Sequence, residues 1–347
     1  MISADNNHQP EGPERQESRE RPGRRDFLKR AAKASVVAAA AVGLGFSLLD
    51  TKGPAALPAQ KALTGLGDFS IQDAHGAPPR MAVARGQNRA VMFERGVGAL
   101  GGMETFIAKG DRVLIKVNAA FASPALMGAT THPELLSAVV SACRKAGAAH
   151  VAVTDNPINN PENCFEITGL AGAARLAGAS IILPRASLFT PTTLPDGKLI
   201  VNWPVFAGAF TSVTKVIALA PVKDHTRAGA SMLLKNMYGL LGGRRNVFHQ
   251  DINTIITEVG LLMRPTLSVL DGTVSMMTNG PTGGSLSDLK ETNTLIVSRD
   301  PVAADSFGAE LLGRAPGSIP YIRMAEAKGI GTADYKSLNP VFLDTGA

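Results

Sequence analysis

The chain has 347 residues, 45% of them hydrophobic and only 18% charged, which is enough apolar material for a sizeable core and excludes a disordered chain. Its net charge of +6 falls to +4 once the first 59 residues, with nine basic and seven acidic side chains, are set aside. With three Tyr, one Trp and no basic run interleaved with aromatics after residue 33, nothing argues for nucleic acid, and no nucleic-acid partner is expected.

Residues 1–22 are polar and charged. Arg24-Arg25-Asp26-Phe27-Leu28-Lys29 then precedes an Ala/Gly-rich apolar stretch over residues 34–49, followed by small residues up to Ala59. Twin arginines before a mildly apolar stretch resemble the twin-arginine (Tat) export signal. The stretch has 16 residues, short of the roughly 20 that a membrane span needs. The resemblance implies a periplasmic or otherwise exported protein, the Tat translocase as a partner, and cleavage near Ala59. Residues 60–79 read as a linker.

From residue 80 the pattern becomes alternating strands and helices. Residues 81–85 read as a strand, 88–94 as a helix, 112–118 as a strand and 119–130 as a loop. Thr131 and Glu134 read as a capping box opening a helix whose apolar face is Leu136, Val139, Val140 and Cys143, with Gly147 closing it. Residues 150–154 form the next strand and end in Asp155-Asn156-Pro157. Residues 169–178 read as helix, 180–183 as strand, and 184–203 as a hairpin or excursion.

The central unit follows. Val216 to Ala220 is a short apolar strand that Pro221 stops, and Lys223, Asp224 and His225 come at once in a charged loop. Met232, Leu233, Met237, Leu240 and Leu241 recur at helical spacing, with Lys235 and Asn236 on the flank and Gly242-Gly243 as the stop. Further on, residues 251–263 read as helix, 266–270 as a strand ending at Asp271, Gly280-Pro281-Thr282-Gly283-Gly284 as a loop, 294–298 as strand, and 302–312 as a helix opened by Asp300-Pro301. This order predicts an α/β fold, a mainly parallel sheet flanked by helices in one compact domain over residues 80–315, which two lobes would also fit. Residues 316–347 read as a helical extension.

Four strands thus end in polar residues: Lys116 and Asn118, Asp155, Lys223 with His225, and Asp271. In parallel strands these ends share one edge, where open α/β sheets place ligands. Taken singly, Asp and Asn at strand ends also serve turns and caps. Of the histidines, His225 and His249 lie near the central unit, while His132 sits at a helix start and His150 begins a strand. Gly96-x-Gly98-x-x-Gly101 matches a dinucleotide fingerprint but follows a helical stretch, so it is set aside. Gly280, Gly283 and Gly284 could offer N–H groups to an anion, or simply form a turn. Cys143 and Cys164 make no CxxC, and no self-contained iron–sulfur motif is present. A disulfide between them is allowed in an exported chain but not expected.

In order, IKVN at 115–118, THPELLSAVV at 131–140, VAVTDNP at 151–157, APVKDHT at 220–226, LLKNMYGLLGG at 233–243, LSVLDG at 267–272, NGPTGG at 279–284 and SRDPVAADSFGAELLG at 298–313 resemble the family named domain of unknown function 362. Where that family commonly has Lys-Pro-Asn this chain has Lys116-Val117-Asn118; it keeps Lys-x-His as Lys223-Asp224-His225 and Lys-Asn as Lys235-Asn236. Some members add a ferredoxin-like Cys-rich module, which this chain lacks. The resemblance implies the site and leaves the chemistry open. One expectation is an enzyme: Lys116, Asn118, Lys235, Asn236 and the glycine loop hold an anionic small molecule. His225, with Lys223 and Lys235, does the chemistry, and Asp155 and Asp271 hold a divalent metal or orient the base. The other is a non-catalytic protein that holds a cofactor or metal for a redox partner.

Overall fold

The computed structural model describes Arg25, residues 63–71 and residues 79–346. Apart from Arg25, the segment that resembles an export signal, its expected cleavage site and half of the linker (residues 60–62 and 72–78) therefore lie outside the described residues. All described residues but Arg25 belong to one compact unit, Lys61–Ala347. No helix among them is long and apolar enough to cross a membrane.

A nine-stranded sheet forms the centre. Its strands are β1 (Met81–Arg85), β2 (Arg112–Lys116), β3 (His150–Thr154), β4 (Ser180–Ile182), β5 (Lys215–His225), β6 (Gly229–Ser231), β7 (Leu267–Met276), β8 (Leu289–Ser298) and β9 (Val341–Asp344). They run in the order β9-β1-β8-β7-β5-β2-β3-β4, with β6 paired to the end of β5. β8 runs antiparallel to both neighbours, and the other pairings along this path are parallel.

The central strands feed two cores by two-residue alternation. Val113, Ile115, Ile217, Leu219, Leu267, Val269 and Val297 face one core, covered by α1 (Arg89–Ala99), α2 (Pro133–Lys145), α3 (Pro161–Ile167) and α4 (Leu170–Ala177). Leu114, Val216, Ala218, Ala220, Leu270 and Ile296 face the other, covered by α5 (Leu233–Asn236), α6 (Ile252–Leu262), α7 (Pro301–Leu311) and α8 (Pro320–Ala327). Burial on both faces explains why these strands read as continuous apolar runs. The fold is thus the mixed α/β architecture with a mainly parallel, helix-flanked sheet that the element order predicts.

Several boundaries differ from expectation. β5 does not stop at Pro221 but continues to His225, so Lys223, Asp224 and His225 are strand residues paired with Ser231, Ala230 and Gly229. Pro221 is tolerated because it sits opposite Asp271, where the β5–β7 register breaks before Met276 resumes it with Lys223. The helix expected over residues 232–241 is only four residues of α-helix, and Met237–Leu240 continues as 3₁₀. Thr131 does not cap α2: His132 is the N-cap, its Nδ1 accepting from Glu134 N–H, while Thr131 Oγ1 accepts from Asn118 N–H at 2.8 Å. Asp300 caps α7 as expected, through Val302 and Ala303 N–H. The C-terminal segment is more than a helical extension, because β9 lies parallel to β1 as an edge strand. Part of the linker is also ordered against the body: Gly67–Asp68 pairs in parallel with Met263–Arg264. Gly96 and Gly98 fall inside α1, so the dinucleotide pattern is helical sequence. Cys143 and Cys164 are buried free thiols.

A cationic cleft at the carboxyl edge

The ends of β2, β3 and β5 meet the last residues of α5 around a small cleft of about 90 Å³. Asn118, Asp155, Lys223, His225, Ser231, Lys235 and Asn236 line it, joined by Phe121, Tyr238, Gly239, Arg245 and His249. Strand alternation explains the central pair. Lys223 and His225 share one face of β5 and both line the cleft. Asp224 points away and accepts from Arg314 Nη2 at 2.6 Å and from Gly280 N–H at 3.2 Å.

Lys116 anchors the floor. It is fully buried, and its Nζ lies 2.7 Å from Asp155 Oδ1, with further bonds to Val117 O at 2.7 Å and Asn236 Oδ1 at 3.2 Å. Asn236 Nδ2 in turn donates to Leu219 O. Burial pulls the Lys116 ammonium downward in pKa, and Asp155 opposes that pull. The Asp155 carboxylate is itself fully engaged: Ala119 N–H donates to Oδ2 at 2.6 Å and Asn156 N–H to Oδ1 at 2.8 Å.

Lys223 is buried too. Its Nζ donates to Ala129 O at 2.6 Å and sits 5.5 Å from the Phe121 ring centre. Burial, and then the nearby Lys235 ammonium, depress its pKa to about 7. Lys235 is partly exposed, lies 5.5 Å from the Tyr238 ring centre, and has no carboxylate partner among the described residues. Desolvation, then Arg245, lower it to about 8.

Helix α5 carries Lys235 and Asn236, and its N-cap, Met232, supplies no capping side chain. Asp305 of α7 caps it instead, accepting from Leu233 N–H at 2.8 Å and Leu234 N–H at 3.0 Å. Desolvation raises the Asp305 carboxyl to about 7.

His225 is held differently from expectation. Its Nδ1 accepts from Arg227 N–H at 3.3 Å and Ala228 N–H at 3.1 Å, so its proton resides on Nε2. Burial and the surrounding Lys235, His249 and Lys223 charges push its pKa down to about 3. This ring is a neutral donor that closes the β5–β6 turn; it is not placed as a general base. His249 has the opposite arrangement: Nδ1 lies 3.2 Å from Asn246 O, a pure acceptor, which leaves Nε2 with the lone pair.

The remaining expected residues lie elsewhere. Asp271 is not at the cleft; its Oδ2 accepts from Arg89 Nε at 2.8 Å and its Oδ1 from Thr273 N–H. Asp155 and Asp271 are therefore not brought together, and each is already neutralised. Among the described residues no group of three or more His, Cys, Asp or Glu side chains could hold an ion. The residues present do not fit the expected divalent metal. The glycine loop is also fastened inward. Gly280 N–H is spent on Asp224, Gly283 N–H on Asn279 O, and Asp288 gathers Thr278, Asn279 and Ser285 N–H. Of the loop only Pro281 lines the cleft. Arg245, unmarked in the sequence reading, donates to Leu241 O, Asn156 O and Pro157 O and so clamps two loops at the rim. Its only local signal is its place two residues after the Gly242-Gly243 stop, behind Arg244.

Fold and site together define an α/β protein with a cationic cleft at the carboxyl edge of its sheet. The model of the family described as Domain of unknown function (DUF362) matches residues 113–310, and the chain belongs to this family. A thylakoid-associated protein of Synechocystis sp. is 25% identical over 239 residues, 67% of this chain and 72% of that protein. Among solved structures, the lactate racemase apoprotein from Thermoanaerobacterium thermosaccharolyticum is similar at 13% identity and a TM-score of 0.37, over 69% of this chain and 58% of that one.

Proposed function

We propose that the cleft binds a small molecule through a carboxylate or phosphoryl group. The observation that carries this reading is the charge balance of its walls: Lys223, Lys235 and Arg245 line the cleft against a single carboxylate, Asp155, which the buried Lys116 beneath it already pairs. Lys235 is the ammonium left for a ligand. Partial burial disfavours its charged form, and no carboxylate among the described residues offsets this, so an incoming anion is favoured. Isothermal titration with inorganic phosphate and with acetate tests the reading. Binding should weaken with salt and with Lys235→Gln. Saturable binding that is indifferent to both would overturn it.

As an enzyme, the protein would move a proton with Lys223, which burial brings to about 7, or with the lone pair of His249 Nε2. The commitment of His225 to its turn favours a second reading, a holder without turnover. Loss of turnover with retained binding in His249→Gln supports the enzyme.

Export through the Tat route is proposed from Arg24-Arg25 and the apolar stretch after them. Replacing both arginines by Lys should leave the protein in the cytoplasmic fraction. Unchanged fractionation would count against export by this route.

A further inference from the structure

Two cavities meet at this site. The inner one, holding the lysines, has a volume of about 90 Å³, and the outer one about 580 Å³. Asn156, Ile158, Tyr238, Arg245 and His249 line both and form the neck between them. Clefts that enclose small molecules run roughly 300–1,000 Å³. The outer groove falls in that range and the inner chamber far below it, so the inner chamber has room for a charged group rather than a whole ligand.

The chemistry of the walls changes across the neck. Lys223 and Lys235 line only the inner chamber, beside Phe121 and Pro281, while Phe189, Ala186 and Pro157 line the outer groove with the main chain of Gly242, and Arg185 and Asn246 are the polar side chains found only there. Phe189 is a fixed wall. It stacks on Phe206 with ring centres 5.0 Å apart and planes 16° from parallel. It also lies against Gly242, where an added Cβ would come within 2.5 Å of the ring. A rigid, apolar surface of this kind recognises a flat hydrophobic body by burial and ring contact.

From this segregation we infer that the ligand is an elongated amphipathic anion, its carboxylate or phosphoryl head among Lys223 and Lys235 and its planar apolar body in the groove beside Phe189. The inference rests on the anion-binding reading above and extends it to the ligand's shape. Arg245 and His249 at the neck then face the junction of head and body.

The test is calorimetry on the full chain with matched probes: inorganic phosphate against 2-naphthyl phosphate, and acetate against 2-naphthylacetate. The naphthyl probe of at least one pair should bind about ten-fold tighter or more than its bare head group. Ala186 is exposed, so Ala186→Trp leaves the core intact while filling the groove. It should collapse that ratio toward one. Lys235→Gln should weaken both members of a pair equally. Head groups that bind with no naphthyl gain, or a gain that survives Ala186→Trp, overturn the elongated ligand and leave the anion site standing. Failure of all four probes to bind, or binding indifferent to Lys235→Gln, overturns the anion site itself.

Discussion

Lys116 Nζ and Asp155 Oδ1 lie 2.7 Å apart, with the lysine side chain fully buried and the aspartate 3% exposed. Removing one partner strands a buried charge, which costs about 3–5 kcal/mol. Asp155→Ala should therefore lower the urea midpoint sharply. The double change Lys116→Met with Asp155→Asn should regain part of the loss, because no charge is then left unpaired and the Asn oxygen can still accept a main-chain N–H from Ala119 or Asn156. Gly239 packs directly on this pair, and an added Cβ would sit 2.4 Å from Asp155 Oδ1. Gly239→Ala should cost about 1–3 kcal/mol by the same urea measurement.

His225 is predicted to act through its turn. Asn can place an oxygen near the position of Nδ1 and accept the Arg227 and Ala228 N–H groups, whereas Ala cannot. His225→Asn should keep near-parental stability, and His225→Ala should lose about 1–2 kcal/mol. Equal losses in the two variants would contradict this role. With its pKa near 3 the His225 ring should also show no titration between pH 5 and 8 by NMR.

Stability should bend with pH around neutrality. Asp305 has a folded pKa of about 7 against an ordinary 3.8, so between these values the folded chain holds a proton that the unfolded chain has lost. Its contribution therefore falls as pH rises from about 4 to 7. Lys223, at about 7 against 10.5, has the opposite sign: above pH 7 the unfolded chain holds the extra proton, and stability rises toward pH 10. Urea unfolding across pH 4–10 should show the first limb flattened in Asp305→Asn and the second in Lys223→Met.

Anion affinity should follow the lysines. Lys223 and Lys235 lose their protons near 7 and 8, so binding should weaken as pH rises through that window. Binding at pH 8 should take up protons, because a bound anion favours the ammonium form. Calorimetry in buffers of different ionisation enthalpy measures that uptake. Lys235→Met should remove the part of it centred near pH 8.

How much of this was legible depends on the distance over which each feature is decided. β2, β3 and the central part of β5 could be read because strands buried on both faces are written as apolar runs, and Lys116, Lys223 and Lys235 stand at or beside their ends. The extent of β5 could not be read, since Pro221 is an ordinary strand breaker and only the broken register against β7 makes room for it. Asp271 has the right residue type, but β7 runs on past it to Met276 rather than ending there, and its partner Arg89 lies 182 positions away. Arg245 acquires its place from carbonyls on a loop 88 and 89 residues earlier, and Asp305 from a helix about 70 residues earlier; neither leaves a local mark. The short α5 was overextended because Met237, Leu240 and Leu241 satisfy helical spacing while a 3₁₀ turn buries them equally well.

The continuation of β5 through Lys223, Asp224 and His225 means that the sign of the cleft's charge is stored as parity. Side chains on a strand swap faces with every residue counted, so deleting one residue between Pro221 and Lys223 would turn Asp224 inward and send Lys223 and His225 toward Arg314. Point substitutions there adjust the cleft, but a single-codon deletion would reverse it. Among homologous chains this segment should therefore vary in composition while holding its length.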